Sequence, residues 1–153
     1  MSDIKEIINQ FQRQCAKREY CTSDIRRKAL EKLEWNHEAA EEVVSSLVAD
    51  RFVDDARYAA AFAREKSSLQ GWGPIKIRFQ LRAKGISDAD IASALGEIDA
   101  DKASARLEKL LAVKWHSLSD DPQGRLKLIK FALSRGYDYE ETEPVIKKIT
   151  TLK

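Results

Sequence analysis

Adjacent carboxylates occur twice in this chain, at Asp54-Asp55 and at Asp120-Asp121. Two neighbouring acids can divide the work of a general acid and a general base, so they are the first candidates for catalysis. Each pair, however, directly precedes a predicted helix, whose free N–H groups and dipole favour a negative charge at that position. Helix capping is therefore the simpler interpretation of both pairs.

Metal or thiol chemistry would have to rely on Cys15, Cys21, His37 and His116, the two cysteines and two histidines of the chain. The cysteines lack the Cys-x-x-Cys spacing of a zinc site, and the histidines lie far apart in sequence. A glycine-rich phosphate loop, a nucleophile elbow and a His-Glu-x-x-His motif are all missing. The sequence therefore predicts a protein that is not an enzyme, with no metal or cofactor and with both cysteines as buried free thiols.

Charge is more informative, because positive residues gather in segments that contain no acid. The formal net charge is only +2, yet residues 66–87 and 122–137 carry several Lys and Arg and no Asp or Glu. The acids concentrate in the segments that follow. Two interpretations stay open: acidic helices that pair with basic ones within the fold, or a basic stripe that binds a polyanion or an acidic protein groove.

The sequence shows no sign of a membrane or secretory protein. No apolar run is long enough to cross a bilayer, and Met1-Ser2-Asp3 does not begin a signal peptide. The cysteines form no disulfide-rich pattern. We therefore expect a cytoplasmic protein that does not contact membranes.

An internal repeat of 51 residues underlies the charge pattern. Trp35-Asn36, Ile86-Ser87 and Tyr137-Asp138 each join a bulky apolar residue to a good helix N-cap at this offset. Three periods fill the chain, which predicts repeats at residues 1–51 and 52–102, then 103–153. The same offset relates four further apolar triplets: Val44, Leu95 and Ile146; Leu47, Ile98 and Ile149; Phe11, Phe62 and Val113; Ile8, Ala59 and Leu110.

Apolar spacing and helix punctuation predict three helices in each repeat. Pro74 and Pro122 suit a first helical turn, Gly85 and Gly136 a left-handed C-cap, and Asp138 a capping box. No segment alternates as a strand does, so the predicted fold class is all-α. The predicted helices are Asp3–Lys17, Ser23–Leu33, Asn36–Asp50, Asp54–Leu69, Pro74–Lys84, Ser87–Ile98, Asp101–Lys114, Pro122–Ser134 and Asp138–Thr150.

The fifth predicted helix carries apolar residues in two directions. At about 100° per residue, Ile75 and Phe79 share one strip, and Ile77 and Leu81 share another. Two apolar strips predict a helix that is packed from both sides, as the middle element of an array would be. Trp72, just before this helix, is expected to plug the corner between two helices, and exposure as an anchor for a partner is the alternative.

The block of residues 51–87 resembles the signature of the RecX family, the regulators of the bacterial RecA recombinase. Weaker similarities lie upstream at residues 17–28 and downstream at residues 131–138, so the resemblance covers nearly the whole chain. Two positions depart from the family pattern: Glu34 stands where the family often has Gly, and Gln80 stands where it commonly has Glu. The matching elements are Asp-Asp-x-Arg-aromatic-Ala at Asp54–Ala59, Gly-x-Gly-Pro at Gly71–Pro74, and Ile-Arg-x-x-Leu-x-x-Lys-Gly-Ile at Ile77–Ile86.

The resemblance implies three tandem three-helix repeats in an elongated, curved array that is monomeric. It also implies a non-enzymatic negative modulator, which lies in the deep groove of the RecA–DNA filament and opposes strand exchange, ATP hydrolysis and co-protease activity. Weak contact with single- or double-stranded DNA is left open. Several weak contacts at repeat spacing add through effective concentration, so no single dominant contact is required.

The residues predicted to contact this partner are cations of the basic stripe. Reversal of two of them, Arg78 and Arg82, to glutamate is expected to abolish inhibition and to leave the helical circular dichroism intact. The full set is Arg26, Arg27, Lys28, Arg57, Arg64, Lys76, Arg78, Arg82 and Lys84.

Two other classes of function stay open. Three-helix units with basic middle helices are typical of helix-turn-helix proteins, so a stand-alone DNA-binding protein with tandem helix-turn-helix-like units is the first alternative. The modest net charge and the lack of a helix face rich in Asn, Gln and Arg argue against it. A helical-repeat adaptor for some other protein is the second alternative.

Overall fold

The computed structural model describes residues 3–151, and within that range it contains nine α-helices and no strand. The prediction of an all-α fold is confirmed, and each helix end lies within two residues of its predicted position. The helices are α1 (Ile4–Lys17), α2 (Thr22–Lys32), α3 (His37–Ala49), α4 (Asp55–Ser68), α5 (Pro74–Ala83), α6 (Asp88–Gly96), α7 (Ala100–His116), α8 (Gly124–Ser134) and α9 (Tyr139–Thr151).

Contacts between residues group the chain into two compact units. Unit 1 comprises Met1–Ala61 with Leu81–Ala94, and unit 2 comprises Phe62–Gln80 with Leu95–Lys153. Helices α4 and α5 therefore each contribute residues to both units. The finer division into repeats of about 51 residues is consistent with the order of the helices, but its boundaries stay a prediction.

The core of unit 1 is formed by α1, α2 and α3. Ile7 and Phe11, one helical turn apart on α1, belong to one apolar cluster with Ile25 of α2 and with Val43 and Leu47 of α3. All five side chains are almost completely removed from water. Each such burial stabilises the fold by about 1.5–3 kcal/mol, so this cluster holds the three helices together.

The core of unit 2 is formed by α7, α8 and α9, and includes Leu107 and Leu111 of α7. Val113 was expected to be equivalent to Phe11 and Phe62, but it is 65% exposed, and the fully buried position is Leu111. Helix α7 has 17 residues, whereas α1 and α4 have 14 each. A shift of two residues turns a helix by about 200°, so the 51-residue offset does not locate the buried face of α7.

Several predicted helix starts are confirmed by their capping hydrogen bonds. The side chains of Asn36 and Ser87 accept from backbone N–H groups three residues further on, at 3.1 and 3.2 Å. The Asp138 carboxylate accepts from the Glu141 N–H at 2.6 Å. Pro74 is the first residue of α5, as predicted. Each of these polar side chains satisfies an N–H group that the helix itself leaves unpaired.

The prediction that Pro122 begins α8 is wrong, because this helix starts at Gly124. The Asp121 carboxylate accepts from the Gln123 N–H at 2.8 Å, and the Asp121 carbonyl accepts from the Gly124 N–H at 2.8 Å. These two bonds close a turn around Pro122 before the helix can begin.

Helices α2, α5 and α8 end in the same way. At the end of α5 and α8, Gly85 and Gly136 have φ angles of 78° and 97°. The N–H of the next residue then donates back to a carbonyl of the last turn, which is the Schellman arrangement. In α2 this left-handed position is held by Glu34, with a φ of 53°. A side chain with a Cβ is strained in that region, whereas glycine is not.

Replacing Glu34 by glycine is therefore expected to raise the free energy of unfolding by about 0.5–1 kcal/mol. Glu34 is exposed, so no packing is lost. Urea denaturation followed by circular dichroism measures the change. Glu34→Ala is the matched control, because alanine removes the charge but keeps the strain. A glycine variant no more stable than the alanine variant would contradict the assignment of strain to this residue.

The second helices of the three-helix units are α2, α5 and α8, and the same type of contact joins successive members of this set in both units. In unit 2 the Gly73 N–H, just before α5, donates to the carbonyl of Arg135 at the end of α8, at 2.7 Å. In unit 1 the Ser23 hydroxyl, at the start of α2, donates to the carbonyl of Lys84 at the end of α5, at 2.6 Å. The start of one second helix thus meets the end of the next one, as a repeated three-helix unit would require.

Candidate partner-binding surface

The pair Asp54-Asp55 is occupied by capping, whereas the prediction that Asp120-Asp121 caps α8 is wrong, because Asp121 accepts within the turn before this helix and the N-cap residue, Gln123, makes no side-chain capping bond. Asp54 accepts from the Arg57 N–H at 3.1 Å and so caps α4, as predicted. Asp55 instead accepts from the backbone N–H and the hydroxyl of Thr22, at 2.8 and 2.9 Å. It thereby caps α2, whose own N-cap residue, Cys21, makes no side-chain capping bond. The sequence did not reveal this second role, because the two helices are far apart in the chain.

The cysteines are free thiols, Cys21 buried and Cys15 half-buried. Burial raises the pKa of both thiols, so they stay protonated and weakly nucleophilic near neutral pH. Within residues 3–151, no group of three or more His, Cys, Asp or Glu side chains is arranged to hold a metal ion.

Arg57, one of the predicted contact residues, is engaged within unit 1. Its Nε donates to the Glu19 carboxylate at 2.5 Å, and its two Nη atoms donate to the carbonyls of Arg51 and Phe52, each at 3.2 Å. The Glu19 hydrogen bond raises the pKa of the guanidinium. Next to it, Tyr58 is buried, which raises the pKa of its phenol to about 12. This part of the signature therefore stabilises the fold.

Lys84, a second predicted contact residue, pairs with a buried acid. Its Nζ lies 2.7 Å from the carboxylate of Asp24, a residue that is only 6% exposed. Burial of Asp24 opposes its ionisation, but hydrogen bonds from Lys84 and Cys21 outweigh burial and lower the pKa of the carboxyl. The pair joins the start of α2 to the end of α5 within unit 1.

Replacing Lys84 by methionine is expected to lower the free energy of unfolding at pH 7 by about 1–2 kcal/mol, because Asp24 would be charged and buried without a partner. The low pKa of Asp24 in the folded protein means that the pairing stabilises above the ordinary pKa of aspartate, and that this stabilisation is lost as the pH falls through the folded pKa. The difference between variant and wild type should therefore shrink below about pH 4. Urea denaturation of the variant and the wild type at pH 7 and pH 3 measures the loss of stability and its dependence on pH. An equal difference at the two pH values would contradict the pairing.

Other predicted contact residues pair with acids of the following helix. Arg26 of α2 pairs with Glu41 of α3, and Arg82 pairs with Asp88 at the start of α6, at 3.2 Å. The interpretation that acidic helices neutralise basic ones therefore accounts for these two cations. Both pairs are exposed, so each contributes less than about 1 kcal/mol and can open when a partner binds.

Trp72 plugs the corner between α4 and α5, as predicted. It is half-buried and meets the ring of Phe62 edge-on, with ring centroids 6.1 Å apart. Lys76, a predicted contact residue, places its Nζ 4.3 Å from the Trp72 ring centre, and Lys66 does so at 5.1 Å. Lys28, in unit 1, lies over the ring of Tyr20 in the same way, at 5.0 Å. These lysines are positioned by contact with aromatic rings.

The remaining three predicted contact residues are Arg27, Arg64 and Arg78. In the part of the chain that the structure describes, none of their side chains forms an ion pair, a hydrogen bond or a contact with an aromatic ring. Arg27 and Arg64 are exposed, and Arg78 is half-buried. We refer to them as the free arginines. Their charge is available to a partner without breaking a contact within the fold.

Helix α5 exposes one of its two apolar strips, so the prediction that it is packed from both sides is wrong. Ile77 and Leu81 are fully buried, but Ile75 is 46% exposed and Phe79 is 68% exposed. Arg78 lies on the same side of the helix, three residues after Ile75. We call Ile75, Arg78 and Phe79 the α5 strip. Periodicity showed that Ile75 and Phe79 share a face but not whether another helix covers that face.

No helix among the described residues is both long enough and apolar enough to cross a membrane. A protein-family model, described as RecX, second three-helix domain, matches residues 54–95 of this chain. These residues contain Asp54, Asp55, Arg57, the α5 strip and Lys84, but not Asp24, the partner of Lys84.

The whole chain is similar to named relatives and to a solved structure. It is 32% identical over 142 residues to a Regulatory protein RecX of Actinobacillus pleuropneumoniae serotype 5b, covering 84% of this chain and 89% of that protein. It is 28% identical over 152 residues to a Regulatory protein RecX of Prosthecochloris aestuarii, covering 98% of this chain and 97% of that protein. The fold matches the crystal structure of RecX from Lactobacillus salivarius with a TM-score of 0.83 and 19% identity, over 97% of each chain. The chain therefore belongs to the RecX family of regulatory proteins.

Proposed function

We propose that this chain is a negative modulator of the RecA recombinase. It binds in the groove of the RecA–DNA filament in the cytoplasm, as a monomer, and inhibits recombination, ATP hydrolysis and co-protease activity without catalysing a reaction itself. Membership of a family of regulatory proteins supports a regulatory role. The capping roles of Asp54 and Asp55 and the protonated thiols support a role without catalysis.

The α5 strip is the observation that carries this proposal. Ile75, Arg78 and Phe79 put an aliphatic side chain, a free arginine and an exposed aromatic ring on one face of a helix. Aromatic and Arg side chains with apolar neighbours are the usual centre of a protein–protein interface. Ile77 and Leu81 on the opposite side of the helix are fully buried, so α5 is anchored in the fold through the face that the strip does not use.

The composition of the strip favours a protein partner over bare DNA. Phosphate contacts are made by Lys, Arg and polar groups, and a single-stranded base stacks on aromatic rings. An exposed isoleucine serves neither purpose but gains free energy when a protein surface covers it. Arg27 and Arg64 can bind phosphate or carboxylate equally well, so they are compatible with a filament that contains both protein and DNA.

Free arginines occur in both units, Arg27 in unit 1 and Arg64 and Arg78 in unit 2. A filament presents the same subunit surface many times. Contacts that are individually weak can then combine through a high effective concentration. This explains how exposed arginines worth little on their own could support tight binding to a repeating partner.

The test is single-strand-DNA-dependent ATP hydrolysis by the cognate RecA, titrated with this chain. We expect inhibition at concentrations too low to coat the DNA, since the chain acts on the filament. Inhibition that begins only when the DNA is saturated would favour the DNA-binding alternative. No inhibition at any concentration would contradict the proposal and favour an adaptor for another protein.

A further inference from the structure

Unit 2 contains a groove that the proposed function does not use. It lies between α7 and the connection from α4 to α5, and its volume is about 620 Å³. Its apolar part is formed by Leu69, Leu110 and Val113, of which Leu69 is 78% exposed and Val113 is 65% exposed. Volumes of about 300–1,000 Å³ are typical of binding sites. The groove is large enough to take one or two bulky side chains of a partner.

The rim of the groove is positive. Arg106, Lys109 and Arg135 line it, and no carboxylate is among the described residues that line it. Arg106 donates to the Ser67 hydroxyl at 2.9 Å, and Arg135 donates to the Gln70 carbonyl at 3.3 Å. Both guanidinium groups are therefore positioned by neutral acceptors.

Neutral acceptors leave the charge of the rim uncompensated. Arg26, Arg57 and Arg82 in unit 1 differ, because each of them pairs with a carboxylate. A positioned guanidinium with donors to spare binds carboxylate strongly and often through two hydrogen bonds. The groove thus combines exposed aliphatic surface with cations that lack a counter-charge.

We propose that this groove binds an acidic segment of a partner protein. A bulky apolar side chain of that segment lies between Leu69 and Val113, and flanking carboxylates pair with Arg106, Lys109 and Arg135. The lining contains no aromatic ring, so it offers no stacking surface for a nucleic-acid base. This inference goes beyond the proposed function, because it concerns other residues and does not depend on the identity of the partner.

Synthetic fluorescein-labelled peptides test the proposal with the full chain. The probe is a short run of Asp and Glu with a central Phe-Leu pair, and binding is followed by fluorescence anisotropy. We expect the chain to bind this peptide, to bind an Ala-Ala version about tenfold more weakly, and not to bind a version with Lys in place of the acids. Failure of the wild-type chain to bind the acidic Phe-Leu peptide would overturn the proposal.

Variants of the groove locate the binding. Lys109→Glu and Val113→Ala are expected to weaken binding about fivefold or more, and because both residues are exposed the helical circular dichroism should not change. Lys130→Glu and Leu126→Ala on α8 are matched controls, since both residues are exposed and neither lines the groove. Equal binding by the groove variants and the controls would overturn the proposal.

Two further measurements exclude other occupants. If the groove variants lose binding to an oligo-dT strand but the peptides do not bind, the occupant is nucleic acid and the proposal is wrong. If sedimentation shows a wild-type dimer that Lys109→Glu dissociates, the occupant is a second copy of the chain and the proposal is equally wrong. None of these experiments includes recombinase. Failure of the groove proposal can therefore be distinguished from failure of the proposed function.

Discussion

Replacing Arg64 and Arg78 together by glutamate is expected to raise the concentration of this chain needed for half-maximal inhibition of RecA ATP hydrolysis by at least about tenfold. Within residues 3–151, neither side chain forms an ion pair or a side-chain hydrogen bond, so we expect the reversal to affect binding and not the fold. Reversal replaces attraction by repulsion at two positions of unit 2. The ATP hydrolysis assay measures the change directly.

The control for this prediction is Lys5→Glu with Arg13→Glu on α1. Both residues are exposed, and the double variant changes the net charge by the same amount. If both double variants weaken inhibition equally, the effect reflects net charge alone. Retained inhibition by the folded Arg64/Arg78 variant would show that the free arginines do not contact the filament.

This choice of arginines differs from the pair selected on sequence alone. Arg82 was expected to act with Arg78, but it pairs with Asp88, so its reversal would also disturb the start of α6. Lys84→Glu would leave buried Asp24 facing a like charge and would test stability instead of binding. Arg64 and Arg78 avoid both complications.

The largest expected effect on stability follows from replacing Gly136 by alanine. A Cβ at this position would lie 2.4 Å from the Lys76 Cβ and 2.7 Å from the Lys76 backbone nitrogen. The φ of Gly136 is 97°, which strains any residue with a side chain. Backbone strain and overpacking together are expected to lower the free energy of unfolding by about 2–4 kcal/mol.

Alanine variants of two other glycines provide a graded comparison, in which urea denaturation measures the free energy of unfolding of each variant. Gly85 has a φ of 78°, but a Cβ there meets nothing within 4 Å, so Gly85→Ala should cost about 1 kcal/mol. Gly96 is helical, and a Cβ there also meets nothing within 4 Å, so Gly96→Ala should be neutral or slightly stabilising. A Gly136 variant no less stable than the Gly85 variant would contradict the close approach of α5 and α8.

Local features of the structure could be predicted from the sequence because their causes are local. Asn36, Ser87 and Asp138 cap helices by accepting from N–H groups three residues further on. Such a cap can be predicted from the residue type and its position just before an apolar helical pattern. Gly85 and Gly136 end helices through their own φ angles. Even the departure at Glu34 could be recognised, because glycine holds the equivalent position in the other two repeats.

Features that depend on distant residues could not be predicted. The Lys84–Asp24 pair spans 60 positions, and the Asp55 bond to Thr22 spans 33. Neither partner stands out in its own segment. The sequence therefore assigned Lys84 and Arg57 to a partner, although both hold unit 1 together.

The exposed apolar residues were missed for a different reason. Periodicity placed Ile75 and Phe79 on one strip, and an apolar strip is usually covered by a neighbouring helix. Only the structure shows that this strip is exposed, and that Val113 is exposed beside a positive rim. The candidate binding surfaces therefore lie where a pattern typical of a core is left uncovered.

Binding to bare single-stranded DNA and to the RecA–DNA filament, measured side by side with labelled chain between about 50 and 200 mM salt, tests the central claim most directly. The account predicts binding to the filament that persists at the higher salt, because the apolar part of the α5 strip is covered by protein, and much weaker binding to bare DNA. Equal affinity for both, with the same steep loss as salt rises, would contradict it and identify the chain as a DNA-binding protein.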